Sequence, residues 1–352
     1  MPEKDAVTQE DVAERAGVSR AVVSYVINNG PRNVSEDTRQ RVLSAIRDLG
    51  YRPNKHAQFL KQGSDAAQNS IGIVTGGTGY NLLERPYYNM VLSGLYDSAY
   101  QHNQQISFMV YWDALKDPVF FNKHIHELEI SSLIFVLPSL ILRSKEDEAL
   151  LRQVIARVPN IVCLEEHLFD LPAVIFDRAE AARSAVDHLI GLGHREIAIV
   201  AIHDERLAGY KQALMEHGIA YDEALVDFLE PGEPPVESAY DITGRFLRSG
   251  QSFSAVFTAT DEAAIGAMAA ITDHGLSIPQ DIAIVSIDNI EIASMIRPAL
   301  TTVDVPKRTL ARLAIQSLIT QRDFPDQGQV SMLVPIKLIV RESCGSKLRN
   351  LE

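Results

Sequence analysis

Apolar residues recur at helical spacing in three short stretches near the start of the chain, each bounded by residues that can begin or end a helix. Thr8 and Asp11 stand three apart, a capping-box spacing, and Val12, Ala13 and Ala16 give the helix that follows one apolar face before Gly17 stops it. Ser19 can cap a second helix with Val22, Val23, Val26 and Ile27 on its apolar side. Ser35 can cap a third, with Glu36 and Asp37 in its first turn, Val42, Leu43, Ile46 and Leu49 on one face and Gly50 as its stop. The first two helices, joined through one glycine, make a helix-turn-helix. Small Ala13 lets the axes approach, Gly17 permits the tight turn, and Val18 and Val23 fill the angle between the helices. All three can share one small core, so the pattern predicts a small all-α head.

Beyond Tyr51-Arg52-Pro53, residues Asn54 to Leu60 have the length of a two-turn helix, too short to be stable alone in water, so this segment needs a partner to fold. Residues 61 to 70, KQGSDAAQNS, are polar and read as a boundary. From Ile71 the pattern changes to apolar runs such as IGIVTG, ISFMVYW, SLIFVLP and IVCLE, followed by AVIFD, EIAIVA, VDFLE, AVFTA and IAIVSID. Continuous β-rich runs separated by helices of about 10 to 15 residues indicate parallel sheets covered on both faces. There are too many strands for one compact lobe. Two doubly wound α/β lobes with a cleft between them fit better, with ligand groups presented at the carboxyl ends of the strands.

Charge changes the picture only when it is divided. The chain of 352 residues carries a net charge of -13, which taken whole argues against nucleic acid, because phosphate contacts need cations. Residues 1 to 62, however, hold ten Lys and Arg against eight Asp and Glu, net +2, and the remainder holds 23 against 38, net -15. The head is the basic end, and the acidic body disfavours nonspecific contact with DNA. The N-terminal MPEKDAVTQED lacks the apolar stretch of a signal peptide, and no run of about 18 apolar residues suggests a membrane span, so a cytoplasmic protein without membrane association is expected. Cys163 and Cys344 show no metal-binding spacing and are expected to be reduced.

In the head, Arg20 and Ala21 occupy the exposed start of the second helix, the part of a recognition helix that enters the major groove. An arginine there can grip guanine through two hydrogen bonds, and an alanine can meet a thymine methyl. Asn33, in the loop before the third helix, is a further base-edge candidate. In the body, Tyr87, Tyr88 and Trp112 lie near strand-to-helix loops, where they could stack on a sugar ring or pack in the core. Enzymatic and cofactor motifs are missing. GGTG at Gly76 to Gly79 has no following GK[ST] and is no GxGxxG fingerprint, and no GxSxG occurs. His124, His126 and Glu129 lack HExxH spacing. No catalytic residue, metal or cofactor is therefore assigned.

The order of capping box, glycine turn, third helix, YRPN and short amphipathic segment resembles the LacI/GalR family of bacterial transcription regulators. Later stretches resemble the effector-binding core that this family shares with periplasmic sugar-binding proteins. They are DHLIGLGHREIAIV from Asp187, ERLAGYKQAL from Glu205, TATDEAAIGAMAAITDHGLSIPQDIAIVSIDN from Thr258, PALTTVDVP from Pro298 and LIVRESC from Leu338. The resemblance runs from Val7 to about Cys344 and implies a DNA-binding domain over 1–53, a hinge helix and linker over 54–70, a core over 71–345 and a tail over 346–352. It implies a first lobe of about 71–176 plus 305–330 and a second of about 177–304 plus 331–345.

The resemblance further implies a dimeric, sequence-specific regulator, more readily a repressor than an activator, that binds a palindromic double-stranded operator. A small effector, a carbohydrate or its derivative first among the possibilities, would bind in the cleft. Arg20 and Ala21 match positions that select sequence; Thr8, Ser19 and Asn28 match positions that hold phosphates. Tyr25 replaces a common arginine and can still touch phosphate. In the segment beginning at Asn54, Ala57 matches a small residue that permits close approach of two protomers, and Leu60 a leucine that wedges into the minor groove. Arg206 and Asp288 match effector contacts, Glu165 stands where an aspartate is common, and Asp261 follows Thr260 where the family has asparagine. The loop after the first strand is longer than usual and the one before ERLAGY is cut to about three residues, so analogy does not name the effector. The competing class is a sugar carrier, against which the DNA-reading head and the lack of a signal peptide both weigh.

Overall fold

The computed structural model describes residues 7–27, 34–51, 69–76, 84–158, 160–230, 232–325 and 330–346. The head forms α1 (Gln9–Ala16), α2 (Arg20–Ile27) and α3 (Glu36–Leu49) as the spacing predicts. Thr8 closes a full capping box: its hydroxyl accepts from the Asp11 amide at 3.3 Å, and the Asp11 carboxylate accepts from the Thr8 amide at 2.7 Å. Gly17 adopts φ 65°, the left-handed conformation that ends α1, and the amides of Gly17 and Val18 return to the carbonyls of Glu14 and Ala13 at 3.2 and 3.0 Å. Val12, Val23, Val42 and Ile46 are wholly buried between the helices, and Tyr51 closes the same core.

The chain as a whole divides into two compact units, the head falling in the first. The first takes the described parts of 1–78, 93–174 and 311–332, and the second those of 79–92, 175–310 and 333–352. In the first, β1 (Ser70–Thr75), β2 (Gln105–Tyr111), β3 (Ser132–Val136), β4 (Asn160–Leu164), β5 (Ala173–Ile175) and β11 (Met332–Leu333) make one sheet in the order β11-β5-β4-β3-β1-β2. In the second, β6 (Ile197–Ala201), β7 (Val226–Phe228), β8 (Ala255–Thr258), β9 (Ala283–Asp288), β10 (Thr301–Asp304) and β12 (Lys337–Ile339) run in the order β12-β10-β9-β8-β6-β7. β1 to β5 pair in parallel, as do β6 to β10, and β12 adds an antiparallel edge.

Burial explains the two kinds of apolar run. β1, β3, β6 and β8 are buried at every position because helices cover both faces of a parallel sheet. Edge strand β2 alternates between exposed and half-buried positions over most of its length. The helices of the first unit include α5 (Pro118–His124) and α6 (Lys145–Arg157). Those of the second include α7 (Arg178–Gly191), α8 (Arg206–Glu216), α9 (Pro235–Arg248) and α10 (Asp261–Asp273). Two helices, α4 (Pro86–Gln101) and α11 (Lys307–Asp323), carry the chain from one unit into the other.

Lobe boundaries differ from the expected ones where local bonds override sequence order. Residues 84–92 belong with the second lobe, because Arg85 binds the Glu262 carboxylate with two nitrogens at 2.9 and 2.7 Å. The start of α11 also belongs there, held by buried Lys307. Residues 331–332 join the first, where the Ser331 hydroxyl accepts from the Ala173 amide at 3.1 Å. Cys163 and Cys344 are buried and unbridged. Among the described residues no helix is long and apolar enough to cross a membrane.

Gly209, in the ERLAGY stretch, shows why that motif contains glycine. A Cβ there would lie 1.9 Å from the Ala179 carbonyl oxygen, so α8 packs on α7 backbone to backbone. Gly209→Ala is expected to destabilise the second lobe by at least about 1–3 kcal/mol, the usual cost of overpacking a tight contact, read as a lowered thermal unfolding midpoint.

Candidate nucleic-acid interface and effector site

The head presents Arg20 and Ala21 to solvent at the first turn of α2, opposite the side that forms its core. Arg20 Nε donates to Gln9 Oε1 at 3.4 Å, and the Tyr51 hydroxyl also engages Gln9. Burial raises the Tyr51 phenol, with the Gln9 hydrogen bond and the Arg20 charge opposing. Gln9 thus orients the Arg20 side chain. Sequence reasoning missed it because Gln9 and Arg20 sit on different helices and share no local pattern. Thr8 and Ser19 are exposed at the starts of α1 and α2, where helix N-termini favour phosphate, and Tyr25 is half-buried. Asn28, Asn33, Asn54, Ala57 and Leu60 lie outside the described residues.

In each sheet the strand order reverses beside the first strand of the lobe, between β1 and β3 and between β6 and β8. Loops at the carboxyl ends of such strands are where open α/β sheets bind ligands. In the second lobe the loop after β6 is a tight turn, closed by the Asp204 amide on the Ile202 carbonyl at 2.8 Å. Asp204 then holds Arg206 twice, accepting from its amide at 3.0 Å and pairing with Nη1 at 3.2 Å. Arg178 Nε approaches the same carboxylate at 3.8 Å. Arg206 is 7% exposed, and its Nε has no hydrogen-bond partner among the described residues. A buried guanidinium donor left over at a strand end is suited to a ligand oxygen. Exposed His203 stacks on Phe228 with ring centroids 3.9 Å apart.

At the end of β9, Asp288 and Asn289 take positive φ values of 122° and 54°. Such backbone persists only when its surroundings hold it, and here several groups do. The Lys307 ammonium, 3% exposed, donates to the carbonyls of Asp288 and, at 2.9 Å, Val305. Asn289 donates to Asp304 at 2.9 Å and accepts from Arg341 at 2.6 Å. Lys307 also lies 5.4 Å from the centroid of the Tyr87 ring, which meets Tyr88 edge to face at 5.1 Å. The structure therefore brings Tyr87, Tyr88, Arg206 and Asp288 into one lobe and adds Arg178, Asp204 and Lys307, none of them anticipated.

Two expected effector contacts are corrected. Asp261 is wholly buried and fully engaged: its carboxylate accepts from the hydroxyls of Ser286 and of Thr302, the latter at 2.6 Å, and from the Ile290 amide at 2.8 Å. It ties the start of α10 to β9 and β10 and has no face for a ligand. Trp112 is also wholly buried; its indole N–H donates to Asp147 at 2.8 Å, so it is a core residue, not a stacking platform. Burial opposes ionisation of Asp147, but hydrogen bonds from Lys116, Trp112 and Ser144 hold its carboxyl well below the usual range. Glu165 is buried at the carboxyl end of β4 with φ 71°, its amide bound to the Val174 carbonyl at 2.8 Å. His124 packs against Phe120 and Phe108, and no group of metal-ligating residues occurs among the described residues.

Residues 8–54 match the family described as bacterial regulatory proteins, lacI family, and residues 186–344 match the periplasmic binding protein-like domain. The chain is 30% identical over 347 residues to the HTH-type transcriptional regulator GalR of Escherichia coli strain K12, covering 96% of this chain and 95% of that protein. It is 29% identical over 353 residues to catabolite control protein A of Priestia megaterium, with 96% and 99% covered. Among solved structures it is similar to the lac repressor dimer bound to operator and the anti-inducer ONPF, with a TM-score of 0.67, 27% identity and 97% and 99% of the chains covered. It is likewise similar to the transcriptional regulator CelR–cellobiose complex, with a TM-score of 0.68, 26% identity and 96% and 99% covered.

Two outcomes are expected. Arg20→Ala should cost about 1–3 kcal/mol in operator binding and relax the preference at one base pair, whereas uniform weakening on all duplexes would make Arg20 a phosphate contact. Burial pushes the Asp261 carboxyl up to about 6, outweighing the hydrogen bonds it accepts from Ser286, Thr302 and the Ile290 amide. The folded chain then holds this proton more tightly than the unfolded chain, so stability falls as pH rises from about 4 to about 6 and levels off above. The midpoint difference between wild type and Asp261→Asn should change through that window and stay constant above it; a constant difference throughout would show that Asp261 does not titrate there.

Proposed function

We propose that this chain, which belongs to the LacI/GalR family of bacterial transcription regulators, represses transcription by reading a palindromic operator as a homodimer under the control of a sugar or sugar derivative. The observation that carries the DNA half is the exposed start of α2, with Arg20 and Ala21 set outward by a capped, glycine-turned head. A two-fold dimer presents two such starts and so imposes its symmetry on the site. In this reading Arg20 selects a guanine and Ala21 meets a thymine methyl. Thr8, Ser19, Tyr25 and Asn28 hold the backbone, Asn33 assists at a base edge, and Leu60 wedges into the minor groove.

The effector half rests on Arg206, buried beside Asp204 with a guanidinium Nε that has no hydrogen-bond partner among the described residues. Ligand hydroxyls suit such a fork, and Asp288 supplies an acceptor at the end of β9 in the same sheet. Half-buried Tyr88 supplies aromatic surface in the same lobe, with buried Tyr87 against it edge to face. The effector shifts operator binding by its different affinities for the DNA-competent and incompetent states.

The test is selection of bound duplexes from a randomised library by the full-length protein at fixed salt, repeated with a panel of sugars and nucleobases. A palindrome with a flexible central step is expected, together with a sugar that changes its enrichment. Arg206→Ala should weaken binding of that sugar about ten- to a hundredfold, the worth of a charge-assisted hydrogen bond, measured by calorimetry. Failure to enrich any duplex with or without compounds would overturn the DNA reading, and a nucleobase in place of a sugar would overturn the effector class.

A further inference from the structure

The head does not hang from the rest of the chain by its tether alone. Helix α5 of the first lobe packs against α3, and Val119 on the first turn of α5 is packed on the apolar core of the head. One turn later Asn122, 3% exposed, donates from Nδ2 to the Ile46 carbonyl at 3.3 Å. That carbonyl lies in the last turn of α3 and also receives the Tyr51 amide at 3.1 Å. The Asn122 oxygen accepts from Arg157 Nη1 at 2.9 Å, and the Arg157 guanidinium lies 4.4 Å from the centroid of the Phe121 ring. One buried amide therefore joins the third helix of the head to the end of α6.

The seat is itself held. Asp117 accepts from the Val119 amide at 2.9 Å to cap α5, and Pro118 occupies its first turn. Lys116 is clamped between Asp113 at 2.7 Å and Asp147 at 2.9 Å. Asp147 also fixes Trp112, the residue immediately after β2, and the Ser144 hydroxyl at the start of α6. A continuous set of bonds thus runs from the carboxyl end of β2 through Trp112, Asp147 and Lys116 to α5 and the head. Because the seat engages the end of α3, Arg20 and Ala21 stay exposed while the head is seated. The contact positions the DNA-reading surface and does not hide it.

We propose that α5 is a docking seat for the head that sets the orientation of the recognition helix, and that residues Val119 and Asn122 are positioning residues for operator binding. The physical gain is orientational. A head already fixed on its lobe has lost most of the freedom that binding a site of defined half-site spacing would otherwise remove. Displacement at the end of β2 carries the seat, and with it the head, by a route separate from residues 54–60. The inference rests on the DNA-binding reading above.

The test compares full-length wild type, Val119→Asp and Asn122→Asp. The aspartate at 122 keeps an acceptor for Arg157 but loses the donor to Ile46, so it cuts the head bond alone. Both variants are expected to weaken binding to the selected palindrome about tenfold or more and to accept half-site spacings one base pair longer or shorter. Binding to nonspecific DNA at the same salt should be unchanged, as should affinity for the selected sugar. Amide hydrogen exchange, measured without DNA, should speed up over 46–51 in both variants. Unchanged exchange in Asn122→Asp would overturn the seat, even if the wild type selects no duplex and the DNA-binding reading itself fails. Faster exchange with unaltered operator affinity and spacing preference, or with tighter operator binding, would overturn the positioning role. Should Val119→Asp unfold the head, Asn122→Asp carries the same readouts.

Discussion

A parallel sheet buried on both faces confines polar chemistry to the ends of its strands, and this constraint organises both lobes. The strand interiors, such as Ile197–Ala201 and Ala255–Thr258, are closed to solvent. The main chain can turn outward and present donors only where a strand stops. In the second lobe those stops lead into Arg206, Asp288 and Lys307. The strained backbone at Asp288 and Asn289 is held by Lys307, an ammonium whose hydrogen bonds go to carbonyls. Burying a cation is costly unless it is fully coordinated, and at the end of β9 that coordination also fixes the site.

The same economy of polar groups sets the buried carboxylates apart from one another. Asp261 is saturated by two hydroxyls and an amide from its own lobe, so it fastens α10 to the sheet. Asp147 is saturated by an indole, a hydroxyl and a lysine, so it fastens the turn after β2 to α6. Asp204 is different in kind. It engages two arginines through one carboxylate, and Arg206 Nε has no hydrogen-bond partner among the described residues.

The head works by local chemistry, and its outward residues need inner support. Capping, the glycine turn and three apolar faces suffice to build it, whereas Gln9 and Tyr51 steady Arg20 from the neighbouring helix and from the chain that leaves α3. Membership of the LacI/GalR family gives this arrangement its meaning as a regulator of transcription.

Much of this was legible from residue order. The three helices of the head, their caps, the alternation of strands and helices and the resemblance to a regulator family all depend on interactions within a few residues or on patterns of period two or four. Thr8 with Asp11, Gly17 with Glu14 and Val18 with Ala13 are bonds between near neighbours, so their spacing announces them. Arg206 and Asp288 could be picked out as candidates because each sits inside a recognisable stretch. Tertiary structure alone decided that Asp261 and Trp112 are internal, that Lys307 stands under Asp288, that Arg85 reaches Glu262 and that Asn122 meets Ile46. Those partners are 19 to 177 positions apart or have burial set by several elements at once. A side chain's type fixes what it can bond, but which groups surround it is settled only when distant strands and helices close around it.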